Sequence, residues 1–274
     1  MADHVVEANG ARIPSIGLGT WELGGRECTR IVADAIGFGY RHIDTASIYG
    51  NEEAVGEGLR ASGVARDKLF VTTKVWKSDL APGDFERATH ESLERLKLDA
   101  VDLLLIHWPN EQIPLAGTIE ALCRMKREGF ARHIGISNFT VALIDEATSL
   151  STEPLVTNQF ECHPYLDQSK VIAATRRHGM AVTAYSPIAR GRAKGDAVLE
   201  RIGKAHGKTA AQVCLRYLVQ QDFVVIPRTS KTERLRENFD IFDFALSDGE
   251  MKEVATLAKP DGRIVTISGA PQWD

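Results

Sequence analysis

The chain has 274 residues, 43% of them hydrophobic and 26% charged, with 33 basic against 37 acidic side chains and a net charge of −4. A chain of this size buries a sizeable core without disulfides or metals, and its charge balance gives no general attraction to nucleic acid or a membrane surface. Cys28, Cys123, Cys162 and Cys214 form no C-x-x-C pair and have no neighbours at zinc spacing, so four free thiols, no metal and a cytoplasmic location are expected. The segment from Met1 to Glu7 lacks an apolar signal core, and no apolar run reaches the roughly 20 residues of a membrane helix.

Asn9-Gly10 signals a hairpin joining residues 4–8 to 11–13, read as a small ribbon over one end of the fold. Residues 15–19 form the first of a series of strands. Ile31, Val32, Ala35 and Ile36 then recur at helical spacing within 29–38, and Gly39 suits the stop. The pattern repeats along the chain. Short apolar runs at 41–43, 69–73, 101–106, 133–136, 155–157, 181–184 and 223–226 read as strands. Helices are predicted at 51–61, 84–97, 116–128, 140–148, 168–178, 208–220 and 231–238. Residues 246–257 read as an extra helix, and 258–274 as a loop-like tail carrying Pro260, Gly262, Gly269 and Pro271. Alternation of strand and helix builds a parallel sheet, and the length is close to the ~250 residues of an eightfold barrel. The expected fold is therefore α/β: one (β/α)8 TIM barrel domain over 1–274, with an N-terminal hairpin cap and a C-terminal extra helix and tail.

Each apolar run ends on a polar or ionisable side chain: Asp44, Lys74, His107, Asn138, Gln159, Tyr185 and Arg228. In a closed parallel barrel the C-terminal strand ends share one face, where active sites form. Asp44, Lys74 and His107, with Tyr49 just beyond the second strand, compose a general-acid site. A phenol holds its proton at neutral pH. A lysine ammonium favours the phenolate, an aspartate keeps the lysine charged and aimed, and a histidine orients a carbonyl oxygen. Hydride for the carbonyl carbon then has to come from a cofactor. Singly, each residue has a plain structural use: Asp44 as a cap, Tyr49 half-buried, Lys74 in an ion pair, His107 packed in a loop. Their joint placement at strand ends favours chemistry.

The run Gly39-Tyr40-Arg41-His42-Ile43-Asp44-Thr45-Ala46-Ser47-Ile48-Tyr49-Gly50-Asn51-Glu52 resembles the aldo-keto reductase signature. Val71 to Trp76, Asp102 to Pro109, Ile134 to Phe139, Asn158-Gln159 and Ile226 to Ser230 match further segments of that family in order. The short tail is similar to the bacterial branch that includes 2,5-diketo-D-gluconate reductases. The resemblance implies a monomeric NADPH-dependent reductase of small aldehydes, diketones or keto-sugars; the charge balance and the lack of a long apolar run add the expectation of no nucleic-acid or membrane partner. It implies Tyr49 as general acid, Lys74 and Asp44 as its tuners and His107 as the carbonyl-orienting group. It places Tyr185 on the nicotinamide and Ser137, Asn138 and Gln159 on its carboxamide. Arg228, Thr229 and Arg234 would hold the 2′-phosphate, with Glu237 and Asn238 facing the adenine and Ile226 and Pro227 alongside. The family commonly has Lys-Ser where this chain has Arg228-Thr229. A guanidinium also binds phosphate, so NADPH remains the expected cofactor and NADH a second one.

Other segments carry weaker signals. Gly19 and Thr20 close the first strand and approach cofactor or substrate. Ser186, Pro187, Ile188 and Arg190 open a loop with Arg192 and Lys194 that reads equally as a solvated basic loop and as a cover over a pyrophosphate. Gly56-Glu57-Gly58-Leu59-Arg60-Ala61 fits a dinucleotide pattern but falls inside a helical segment, where that pattern has no function. His163 reads as structural. Trp21, Trp76 and Trp108 near strand ends suggest an aromatic substrate pocket, over which Trp273 in the tail could fold. Two rivals stand beside the reductase: a Schiff-base aldolase using Lys74 as nucleophile, and a non-catalytic NADPH-binding regulatory protein.

Overall fold

The computed structural model describes residues 4–274. Asn9 and Gly10, both at positive φ, turn β1 (Val5–Ala8) into β2 (Ala11–Pro14) as an antiparallel hairpin. Eight parallel strands follow: β3 (Gly17–Gly19), β4 (His42–Asp44), β5 (Phe70–Val75), β6 (Val101–Ile106), β7 (Ala131–Ser137), β8 (Leu155–Glu161), β9 (Ala181–Tyr185) and β10 (Val224–Val225). They are hydrogen-bonded in sequence order. Bridges from Ile16 to Val225 and from Gly19 to Arg228 bring the first and last strands together, so the sheet is a nearly closed barrel. Each of β3, β4, β5, β6, β8 and β10 is buried along its whole length, as expected of strands covered on both faces.

The helices form the outer layer: α1 (Gly25–Phe38), α2 (Glu52–Ala61), α3 (Pro82–Leu96), α4 (Leu115–Arg127), α5 (Val141–Leu150), α6 (Ser169–Arg177), α7 (Ala197–His206), α8 (Ala210–Val219), α9 (Thr232–Phe239) and α10 (Asp248–Ala255). The residues predicted to face inward on the first helix, Ile31, Val32, Ala35 and Ile36, are all buried. The dinucleotide-like pattern lies within α2, where its glycines are packing devices. A Cβ on Gly56 would lie 2.3 Å from the Leu96 carbonyl oxygen, and one on Gly58 would lie 2.6 Å from Val32.

The sequence reading differs from the fold at several places, among them β8, read as 155–157 but running on to Glu161. The first helix begins at Gly25, one turn before 29. The last barrel strand is the pair Val224–Val225, because Pro227 supplies no N–H to extend it. An additional helix, α7, occupies 197–206 ahead of α8 and was not predicted. Asp196 caps it by accepting from the Val198 and Leu199 amides, and Leu199 and Ile202 are buried. The four cysteines are free and buried, and burial pushes the Cys28 and Cys162 thiols up to about 12. Among the described residues no group of three His, Cys, Asp or Glu side chains could hold a metal. No helix among them is long and apolar enough to cross a membrane.

Candidate active site

The C-terminal ends of β4, β5 and β6 deliver Asp44, Lys74 and, one residue past the strand, His107 to one end of the barrel. Register pairs Asp44 with Thr72 and Lys74 with Leu105, which sets the lysine one turn of the pleat above the aspartate. The Lys74 ammonium donates to Asp44 Oδ1 at 2.5 Å and to the Thr45 carbonyl at 2.8 Å, and both side chains are buried. Burial pulls the lysine below its ordinary range, and the Asp44 carboxylate opposes that pull. The remaining carboxylate oxygen of Asp44 accepts from Gln159 Nε2 at 2.8 Å.

Tyr49 stands on a single 3-10 turn, Ser47–Tyr49, held by the Ser47 hydroxyl on the Lys74 carbonyl at 3.0 Å and closed by Gly50 at φ 64°. The ring is half-buried, with Lys74 Nζ 5.1 Å from its centroid. Desolvation, and then the Asp44 charge, raises the phenol well above its ordinary value, so Tyr49 carries its proton at neutral pH. His107 lies edge-on to Tyr49 at 5.6 Å and to Trp76 at 5.0 Å. Burial, with Lys74 nearby, lowers its imidazole well below the ordinary range, and the ring is neutral. Its Nδ1 is occluded and has no partner.

Sequence reasoning missed the residues that brace this cluster. Asn51 is buried; it donates to the carbonyls of Thr20 and Leu23 at 2.8 Å each and accepts from the Thr45 hydroxyl at 2.8 Å. Glu52, also buried, accepts from Thr73 Oγ1 at 2.5 Å and from Arg95 Nε at 2.8 Å. Both belong to the signature run, but only their contacts reveal their work.

The expected cofactor residues line the remaining strand ends. Asn138, at φ 62°, donates to the His107 carbonyl and the Ser137 hydroxyl and accepts from the Tyr185 hydroxyl at 2.8 Å. Ser137, Asn138, Gln159 and Tyr185 are therefore mutual neighbours at the ends of β7, β8 and β9. Gly19 packs bare backbone on Ile226, where a Cβ would lie 2.8 Å from its carbonyl, and Thr20 bonds the Asp44 carbonyl. Arg228 is exposed and donates to the carbonyls of Trp21 and Glu22 at 2.9 Å. Arg234 pairs with Glu237, which also accepts from Thr209, while Thr229 and Asn238 are buried. In the loop after β9, Ser186 is partly covered, Pro187 is buried and Arg190 is exposed at φ 52°.

The three rim tryptophans differ in exposure. Trp21 is 46% exposed and edge-on to Tyr49 at 5.0 Å, Trp76 is partly covered, and Trp108 is only 3% exposed. Trp273 meets Trp108 edge-on at 6.0 Å, so the tail does return to this rim. His163 is buried against Glu161, as a structural histidine.

A family model described as the aldo/keto reductase family matches residues 15–259. Methylglyoxal reductase DkgB of Escherichia coli O157:H7 is 41% identical over 96% of this chain and 99% of its own length. Glyoxal reductase of Bacillus subtilis (strain 168) is 41% identical over 95% of each chain. A solved structure assigned as 2,5-diketo-D-gluconic acid reductase B superposes with a TM-score of 0.97 at 50% identity, covering 99% of this chain and 97% of that one. The aldo-keto reductase of Bombyx mori, solved in complex with NADP, superposes at 0.89 with 34% identity over 96% and 95%.

Proposed function

The chain belongs to the aldo/keto reductase family and is an oxidoreductase acting on carbonyls; on that premise we propose that it reduces small aldehydes and dicarbonyls such as methylglyoxal with NADPH, Tyr49 supplying the proton. The observation that carries the reading is a half-buried, protonated Tyr49 set against a buried Lys74–Asp44 pair and a neutral His107.

The residues present fit a pyridine nucleotide. Arg228 spends its guanidinium on two backbone carbonyls and on no carboxylate, so its charge is available to a phosphate. Asn138, Gln159 and Ser137 offer amide and hydroxyl groups next to the flat Tyr185 ring. When bound, NADPH supplies hydride to the carbonyl carbon. The chain's own work is on the oxygen. His107, uncharged, donates an N–H that orients the carbonyl oxygen without competing for the proton. Tyr49 delivers its phenolic proton as negative charge gathers on that oxygen. Lys74, aimed by Asp44 and the Thr45 carbonyl, stabilises the phenolate left behind. The same contacts argue against an aldolase: Lys74 Nζ is fully buried and engaged by two acceptors, so a substrate carbonyl has no access to it.

Turnover of NADPH with methylglyoxal, followed by nicotinamide absorbance with NADH in parallel, tests the reading. Arg228→Ala is expected to raise KM for NADPH about tenfold or more and leave NADH unchanged, since it removes a charge-assisted contact to phosphate. NADPH affinity unmoved by Arg228→Ala together with Arg234→Ala would contradict the cofactor assignment. Tight NADPH binding with no turnover of any carbonyl would favour the regulatory reading.

A further inference from the structure

Glu161 closes β8, two residues beyond Gln159, and its side chain is completely buried. A carboxylate so placed is tolerated only when donors surround it. Its Oε1 accepts from His163 Nε2 at 2.9 Å and from the Ile264 amide at 2.7 Å; its Oε2 accepts from the Val265 amide at 2.8 Å. His163 Nδ1 accepts from the Tyr165 amide, so the histidine is the tautomer with its proton on Nε2, directed at Glu161. Two of the three hydrogen bonds thus come from the tail, more than a hundred residues later in the chain.

The same stretch of tail is fixed on both sides of this anchor. A Cβ on Gly262 would lie 1.9 Å from the Tyr165 carbonyl, so only glycine passes there. Arg263 lies 3.8 Å from Glu161 and stacks its guanidinium over the Trp273 ring at 3.6 Å. Trp273 stands edge-on to Trp108, the residue after His107. Lys77, just past β5, bonds the Ser268 carbonyl, and Asp274 accepts from the Val141 amide at 2.9 Å. The tail therefore runs from the end of β8 to the loops after β5, β6 and β7.

We propose that Glu161 is a positioning residue: through the Ile264 and Val265 amides it holds the tail so that Arg263 and Trp273 form a wall of the substrate pocket against Trp108. The wall sets the size and aromatic character of the carbonyl admitted. Glu161 touches neither substrate nor cofactor in this role. The kinetic part rests on the carbonyl-reductase reading; the structural part does not.

The test uses the full chain carrying Glu161→Gln, whose amide keeps one acceptor oxygen and puts N–H against N–H at the other position of the carboxylate. Hydrogen exchange should quicken about tenfold or more at whichever of Ile264 and Val265 faces the new amide, and tryptophan fluorescence should shift as Trp273 leaves Trp108. KM for an aromatic aldehyde such as benzaldehyde should rise about tenfold with kcat little changed, while methylglyoxal is reduced as before. Gly262→Ala displaces the tail where it passes the Tyr165 carbonyl and should give the same split, so it decides the matter if Glu161→Gln does not fold. Retained amide protection in the folded variants would overturn the proposal, as would an equal fall in kcat for both substrates. Accelerated exchange in a protein that reduces no carbonyl would uphold the anchor and overturn the reductase reading.

Discussion

A phenol is a poor acid at neutral pH, and burial makes Tyr49 a poorer one still. In the proposed mechanism the buried Lys74 ammonium, 5.1 Å from its ring, answers that penalty by stabilising the phenolate once the proton has gone. The direction of both shifts yields a pH profile. His107 is held below its ordinary 6.5, so it is neutral above that value and gains charge only on further acidification. Tyr49 is held above its ordinary 10.0, so it keeps its proton up to and beyond that value. Neither group should therefore break the kcat profile for reduction between pH 6.5 and 10.0, where, of the shifted groups, only the lowered Lys74 can change charge; an acid limb inside that window in a pre-steady-state assay would refute the assignment. Asn51 carries a second prediction at this scale. Asn51→Ala strands the Thr45 hydroxyl and two buried carbonyls, and should lower stability by about 3 kcal/mol in urea unfolding. Asp44, Lys74 and His107 were legible because each ends an apolar run. Asn51, Glu52 and Glu161 were not, because their partners, Thr20, Arg95 and Ile264, lie far away in sequence.

Among the elements, α2 is packed on its neighbours through glycine. Gly56 meets the carbonyl of Leu96 at the end of α3, and Gly58 meets Val32 of α1. Neither has the left-handed φ that would make backbone freedom the reason. Gly56→Ala should cost about 1–3 kcal/mol by overpacking, with kcat per folded molecule unchanged, as thermal denaturation and active-site titration would show. Helical periodicity announced most of the outer layer. The helix it missed, α7, carried the signal of Asp196 three residues before Leu199, with Ile202 one turn on. A basic, glycine-rich loop just upstream drew the boundary too late. Strand β10 was over-read because an apolar run continues into Ile226, whereas the ladder with β9 ends at Val225 and beyond the proline only the single bridge from Gly19 to Arg228 remains.

The whole molecule closes by laying Gly19 against Ile226 and Arg228, which brings the expected phosphate-binding arginine onto the loop that carries Trp21. Alternation of strands and helices made this architecture legible, but the course of the tail was not, since its fixings are single contacts to Glu161, Lys77 and Trp108 without periodicity. At the scale of the fold, buried His42 predicts acid sensitivity. Burial, opposed in part by the Asp44 charge, lowers it from 6.5 to about 4. The unfolded chain binds that proton first, so stability is complete above 6.5 and is lost as pH falls towards 4. The loss is on the order of 3 kcal/mol, and a substitution such as His42→Phe should flatten this part of the melting-temperature profile.

The central claim is that Tyr49 gives its proton to the carbonyl oxygen, and single-turnover reduction of methylglyoxal by the NADPH complex of Tyr49→Phe tests it most directly. The hydride-transfer step should slow by about a hundredfold to ten-thousandfold, with NADPH binding unchanged. Transfer at the wild-type rate in that variant would show that the proton comes from another group.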